Sequence, residues 1–296
     1  MTRLSDAVHS LTMPSLRSVD KRQLHPAFLE AFADYAMDAS GTTEERLLLR
    51  MRKNNVDYDA SPGLYDGDRL IGFTLIGIDR WAGQITAYDA GTGIVPGFRK
   101  QGWARKMFDH ALPALEERGV ERFVLEVLQG NEPAIKAYRK SSFEIARELK
   151  CFVGEASGLR VHDPSTSIDV RPIGRAALAR LEPSADWLPS FENRFTAVDA
   201  IPEQVRIAGA FLDGICVGAI AYVEPLNWLL TLLVDRDHRR KGVGTMLVRH
   251  LASTLPEPLP RLTALNVDGS DAGAEAFFQS LGMSHLVDQY EMTRPL

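Results

Sequence analysis

The sequence predicts an α+β chain, a mostly antiparallel sheet flanked by helices, built from two copies of one domain in series. The first observation behind this is a repeated motif. Arg99-Lys100-Gln101-Gly102-Trp103-Ala104 and Arg239-Arg240-Lys241-Gly242-Val243-Gly244 share the pattern R-x-x-G-x-small, 140 residues apart. The second is that the same offset links His110 to His250, Leu115 to Leu255, Ala134 to Ala274, Tyr138 to Phe278 and Phe143 to Met283 without an insertion. One such motif is common by chance, but two with a matching block behind them are a duplication. The third is that Asp66-Gly67 and Asp213-Gly214 each separate two apolar runs, a hairpin signal.

In the first copy a short strand is expected near Leu16–Val19, followed by helical stretches at 22–38 and 43–54. The hairpin joins Gly63–Tyr65 to Leu70–Ile78, and a strand at 84–95 leads into the motif. A helix from about 103 to 117 follows, because Trp103, Met107, Phe108, Ala111 and Leu115 recur at helical spacing. Pro113 should kink this helix or end it early. A strand at Arg122–Leu128, a helix at Glu132–Lys140 and a final strand pair complete the copy. The second copy repeats the order: Ile168–Pro172, a helix, the hairpin, Leu229–Val234, the turn, helix 243–254, strand 261–267 and helix 271–280. The polar, turn-rich stretch 154–167 reads as a linker. The domains are therefore 1–153 and 168–296.

Composition narrows the function classes. A hydrophobic content of 45% suits a globular protein, and a net charge of −5 argues against nucleic-acid or anionic-membrane partners. Cys151 and Cys216 have no metal-ligand spacing and read as small buried residues, and no metal site is expected. No apolar run reaches membrane-spanning length and no leader is apparent, so a reducing cytoplasm is the default.

The chemistry concentrates at the repeated turn. Gly102 and Ala104 leave backbone amides unobstructed at a helix N-terminus, with Arg99, Lys100, Arg105 and Lys106 around them. Free donors, the positive end of a helix dipole and local cations make a phosphate site. Gly242 and Gly244 repeat it, with Arg239, Arg240 and Lys241. Gly91-Thr92-Gly93 is glycine-rich for a strand interior, which fits close approach of a ligand or a bulge.

The R-x-x-G-x-[GA] turn after Ile94-Val95-Pro96, then Asn131, Ala134 and Tyr138 in N-x-x-A-x-x-x-Y, resembles the GNAT superfamily of acyl-CoA-dependent N-acyltransferases. The resemblance covers nearly all of each half. It implies acetyl-CoA as co-substrate and a primary amine, on a small molecule or peptide, as acceptor. It also implies that Gly93, Ile94 and Val95 pair with the pantetheine arm, and that Arg99, Lys100, Gln101, Gly102, Trp103, Ala104 and Arg105 cradle the pyrophosphate. Asn131 would steady the arm and Tyr138 would protonate the departing thiolate. A second cofactor site would comprise Val234, Arg239, Arg240, Lys241, Gly242, Val243, Gly244 and Thr245. A homodimer is compatible with this reading.

The copies differ where it matters for turnover. Tyr138 is matched by Phe278, which has no proton to give, and Asn131 by Asp271. Asp89 and Glu126 are candidate general bases in the first copy, matched by Leu229 and Asn266. The expectation is an acetyltransferase whose first copy is catalytic and whose second is degenerate. The alternatives are catalysis in the second copy, or a coenzyme A-binding sensor or structural protein without turnover.

Overall fold

The structure is a computed structural model and describes residues 11–160, 168–254 and 261–296. The chain forms two compact units. The first holds the chain up to Leu125 together with Glu132–Glu144 and Thr293–Leu296, and the second holds Glu126–Asn131 and Ile145–Met292.

The first unit contains β1 (Leu11–Thr12), α1 (Lys21–Ala31), α2 (Glu44–Lys53), β2 (Gly63–Asp66), β3 (Arg69–Trp81), β4 (Gln84–Ile94), α3 (Trp103–Glu117), the start of β5 (Arg122–Leu128) and α4 (Glu132–Lys140). Strands β1 to β4 are antiparallel neighbours, while β5 runs parallel to β4. α2 starts where the Thr43 hydroxyl accepts from the Arg46 N–H at 3.2 Å. Acidic residues fill its first turn and basic ones its last, matching the helix dipole. α3 buries Met107, Phe108, Ala111 and Leu115, and Phe108 meets Phe123 and Phe143 at ring separations of 5.5 and 5.9 Å.

Two expectations for this copy change, and one of two alternatives for Pro113 is removed. Leu16–Ser18 is a 3₁₀ turn rather than a strand, tied down by the fully buried Leu16, whose N–H donates to the Ser61 carbonyl at 2.7 Å. α1 stops at Ala31, because Phe32 leaves helical geometry at φ −116° and ψ 10°. Pro113 does not end α3, which continues to Glu117. Pro113 lies on the exposed face, where the carbonyl it leaves unbonded can reach water.

The second unit contains most of β6 (Glu144–Glu155), then β7 (Asp169–Pro172), α5 (Arg175–Ala179), α6 (Ala197–Ala200), β8 (Val205–Leu212), β9 (Ile215–Val223), β10 (Trp228–Val234), α7 (Val243–Thr254), β11 (Arg261–Asp268), α8 (Ala272–Ser280) and most of β12 (Ser284–Pro295). Strands β7 to β10 are antiparallel neighbours, β11 is parallel to β10, and β6 lies antiparallel to β11. Its core gathers Val217, Ile220, Leu247, Leu251, Leu262 and Phe278.

The compact units and the sequence halves divide the chain differently. β6 is one strand rather than a pair, and it ladders onto β11 from Glu155↔Arg261 to Leu149↔Asp268. Residues 145–153, read from the sequence as the end of the first domain, thus belong to the second unit. Of the expected linker, Gly154 and Glu155 close β6, and 161–167 lie outside the described residues.

Candidate active site

The pairing of β3 with β4 passes from Ile76↔Asp89 to Leu75↔Gly91, so Ala90 is an extra residue, a β-bulge. The parallel pairing of β4 with β5 runs over Thr86↔Arg122, Ala87↔Phe123 and Tyr88↔Val124, and Asp89 is the next residue along β4. Asp89 therefore stands where the sheet changes register and a parallel ladder stops.

Its side chain is buried and held on both oxygens. Oδ1 accepts from the Gly91 N–H at 3.0 Å, and the Thr92 hydroxyl lies 3.0 and 2.9 Å from the two oxygens. Thr92 Oγ1 is in turn 3.1 Å from Thr74 Oγ1. Across from β4, the Tyr138 hydroxyl donates to Asp89 Oδ2 at 3.3 Å. Burial pushes the Asp89 carboxyl up to about 6, while the bonds from Thr92, Gly91 and Tyr138 and the Arg50 cation pull the other way. The result is a carboxylate mostly ionised at neutral pH and able to take a proton.

Tyr138 sits on α4 with its ring against Phe108 and Phe143, at centroid distances of 5.9 and 5.8 Å. Burial holds its hydroxyl well above the usual tyrosine range, and the nearby Asp89 and Tyr35 add to this. The ring is half-exposed by surface area although its hydroxyl is enclosed.

The repeated turn has the backbone of an anion cradle. Lys100 and Gly102 are left-handed, at φ 63° and 78°, and Gly102 caps α3 without a side chain. A Cβ added at Gly102 would meet nothing within 4 Å, so the approach to the first amides of α3 is open. Arg99 does not face that approach. Its guanidinium staples the turn internally, donating to the Ile94 carbonyl at 2.9 Å, the Ala31 carbonyl at 3.0 Å and the Asp34 carboxylate at 2.6 and 2.7 Å. Nearby, Trp103 Nε1 donates to Gln101 at 3.3 Å and Lys106 lies 3.9 Å over the Trp103 ring. Arg105 pairs with Asp109, and Ala104 is half-buried.

The other residues singled out from the sequence have surroundings of their own. A Cβ at Gly93 would come within 2.7 Å of Phe73 and 2.9 Å of Ala31, so this glycine serves packing against α1. Val95 is buried beside Ile94 in a cluster with Leu64, Ile71 and Met107. Glu126 and Asn131 belong to the second unit. There Glu126 accepts from Asn266 Nδ2 at 3.3 Å, and the Asn131 N–H donates to Leu128 at 2.9 Å. Thr92, Thr74 and Arg50 near the carboxylate, and Tyr35 near Tyr138, are not singled out by the sequence. Thr92 lies in view inside Gly91-Thr92-Gly93, and the acceptor Asp89 three residues before it is the available signal.

The second copy repeats the turn. Arg240 and Gly242 are left-handed at φ 60° and 84°, and Arg239 donates to the carbonyls of Val234 and Ser184 and to Asp186. Lys241 Nζ donates to the Asp237 carbonyl at 3.0 Å, Val243 is in the core and Thr245 is half-buried. A Cβ at Gly244 would lie 3.2 Å from the Phe277 ring, so that ring closes over the first turn of α7. Phe278 stacks on Phe152 at 5.2 Å and Leu229 is buried in the core.

The acetyltransferase (GNAT) family pattern matches residues 22–143 and again 175–283, and the chain belongs to that family. A streptothricin acetyltransferase of Streptomyces lavendulae is 38% identical over 78 residues, which span 26% of this chain and only 40% of that protein. Among solved structures, a GCN5-related N-acetyltransferase from Sphaerobacter thermophilus superposes with a TM-score of 0.71 at 12% identity, covering 96% of this chain and 95% of that one. A tandem GNAT protein from the clavulanic acid biosynthesis pathway superposes with a TM-score of 0.68 at 16% identity, covering 96% and 98%. These likenesses establish the two-copy fold. No helix among the described residues is long and apolar enough to cross a membrane.

Proposed function

We propose that the protein moves an acetyl group from acetyl-CoA to a primary amine of a small molecule or peptide, using the first copy. The observation that carries this is the buried Asp89 carboxyl, set at a bulge and bonded to the Tyr138 hydroxyl. It offers a proton acceptor near neutral pH and a tyrosine within reach of the same point. The open, uncapped amides at Gly102–Arg105 fit a pyrophosphate, and Arg99 serves that cradle through its backbone and its staple. The bound thioester would supply the acyl group and a thiolate leaving group. Asp89 would accept the amine's proton, directly or through water, and Tyr138 would stand at the leaving group.

Asp89 is the better base of the two carboxylates, because it is the one bonded to the Tyr138 hydroxyl and burial raises its carboxyl to about 6. The second copy has no proton-transfer group at either position, since Leu229 and Phe278 are both built into its core. The streptothricin acetyltransferase match supports an amine on a small molecule as acceptor. Native mass spectrometry with acetyl-CoA tests the reading: one cofactor per chain is expected, and none would refute it.

A further inference from the structure

We propose that the second copy keeps a coenzyme A cleft that its own chain holds shut: the segment 186–194 crosses from β10 to β11 and lays Asn193 where the two strands part. This rests on the coenzyme A reading of the repeated turn and extends it to the copy without proton-transfer groups. The turn itself is intact, with Arg240 and Gly242 in the same left-handed pair as Lys100 and Gly102. β10 and β11 pair at Trp228↔Thr263 and Leu229↔Ala264, and the ladder then stops, although the strands continue to Val234 and Asp268. The ladder of β4 with β5 stops at Val124, the residue that Ala264 matches. Strands that part leave backbone donors and acceptors for another group to satisfy. In the second copy the chain supplies that group. One residue past the last pair, the Leu265 carbonyl accepts from Asn193 Nδ2 at 2.7 Å.

The segment is anchored along its length. The 3₁₀ turn Glu182–Ser184 packs on β10 and the 3₁₀ turn Phe191–Asn193 on β11, so the chain between them bridges the two strands. Arg239 holds its start through the Ser184 carbonyl and Asp186. Arg147, itself fixed by Glu291 at 3.0 and 2.8 Å, donates to the Leu188 carbonyl at 2.7 Å. Asn266 Nδ2 lies 3.2 Å from Ser190 Oγ. Residues 190–194 are all buried although only Phe191 is apolar, and a polar run is buried that deeply where bonds meet it. The first copy routes the same stretch elsewhere. After Asp34 it forms α2 and then joins the outer edge of β3, where the Asp57 N–H donates to the Ile76 carbonyl at 2.9 Å and the Ile78 N–H to the Asn55 carbonyl at 3.1 Å. β2 leaves that edge available, because it pairs with β3 only from Arg69 to Phe73. β8 instead covers the whole of β9, from Leu212↔Ile215 to Val205↔Val223. With no such edge to join, the arriving chain turns in to β11.

The test counts acetyl-CoA bound to the full chain by native mass spectrometry. The wild type should hold one molecule. Asn193→Asp keeps the shape of the side chain but turns its donor into an acceptor facing the Leu265 carbonyl, and should raise the count to two. Asn193→Ala should do the same with weaker binding of the second molecule. Adding Gly242→Val to Asn193→Asp should bring the count back to one, which assigns the second molecule to the turn before α7. Hydrogen exchange on the wild-type chain needs no substitution and decides the matter if a variant fails to fold. Residues 190–194 should exchange slowly in the free protein, and acetyl-CoA should protect the first turn of α3 and leave that of α7 unchanged. A wild-type count of two, fast exchange at 190–194, protection at α7, or a count of one in both folded Asn193 variants overturns the closed cleft. Each of these leaves the first-copy acetyltransferase reading standing. A wild-type count of none overturns both.

Discussion

The two copies carry the same turn and different chemistry around it. Arg99 and Arg239 each staple the loop to the strand carbonyl five residues back and to an aspartate well upstream. Lys100 and Arg240 share one left-handed conformation, and Gly102 and Gly242 another. Yet Asp89 and Tyr138 are bonded to each other in the first copy, while Leu229 and Phe278 sit in an apolar core in the second. The turn therefore persists for a folding reason. Its arginine satisfies carbonyls that the chain itself leaves open, whether or not a phosphate ever arrives. Motif presence reports the scaffold, and the buried polar pair reports the chemistry.

This contrast can be broken at several points. Gly102→Val should weaken acetyl-CoA binding by a hundredfold or more, as counted by native mass spectrometry, because a branched side chain would fill the open approach and resist φ 78°. Gly242→Val should leave the same count unchanged. An equal loss from both would mean that the second turn also binds.

A smaller effect separates function from stability. The folded Asp89 carboxyl titrates near 6 against an ordinary 3.8, so its contribution is fully present below about pH 4 and is lost as pH rises through 6. Asp89→Asn removes that loss. The variant should be poorly active yet more stable than wild type at pH 7.5, by about 1–3 kcal/mol. Thermal denaturation should show the advantage shrinking to nothing as pH falls to 4, and a variant less stable at every pH would refute the burial argument. The smallest effect is expected at Asp34, which has no path to the phosphate except through Arg99. Asp34→Asn should lower acetyl-CoA affinity by about two- to fivefold, as isothermal titration would record, since one exposed ion pair is lost while two carbonyl bonds to Arg99 remain.

Much of the fold was legible because the repeat runs without insertion from Arg99–Phe143 to Arg239–Met283. Strand β5 and helix α4 have the bounds that periodicity gave, Arg122–Leu128 and Glu132–Lys140. The staple was not legible. Asp34 precedes its arginine by 65 residues and Asp186 by 53, so the fixed offset that exposed the repeat misaligns the partners. The path of β6 was hidden for a related reason. Its ladder with β11 joins residues more than 100 apart, and an alternation of apolar residues names a strand without naming its neighbour. At the site, Asp89 and Tyr138 were separately visible as residue types, but their hydrogen bond spans 49 residues. Gly93 needs its glycine because an added Cβ would crowd Phe73 and Ala31, a requirement set by α1 packing that the sequence around it does not display.

The division of labour between the copies is tested most directly by two reciprocal changes, Tyr138→Phe and Phe278→Tyr, measured side by side in single-turnover acetyl transfer. Each exchanges one oxygen and leaves an aromatic ring in place. The first should slow the chemical step by about 10²–10⁴-fold with acetyl-CoA affinity retained, and the second should change nothing. Transfer at the wild-type rate by the Tyr138→Phe protein would contradict the assignment of catalysis to the first copy.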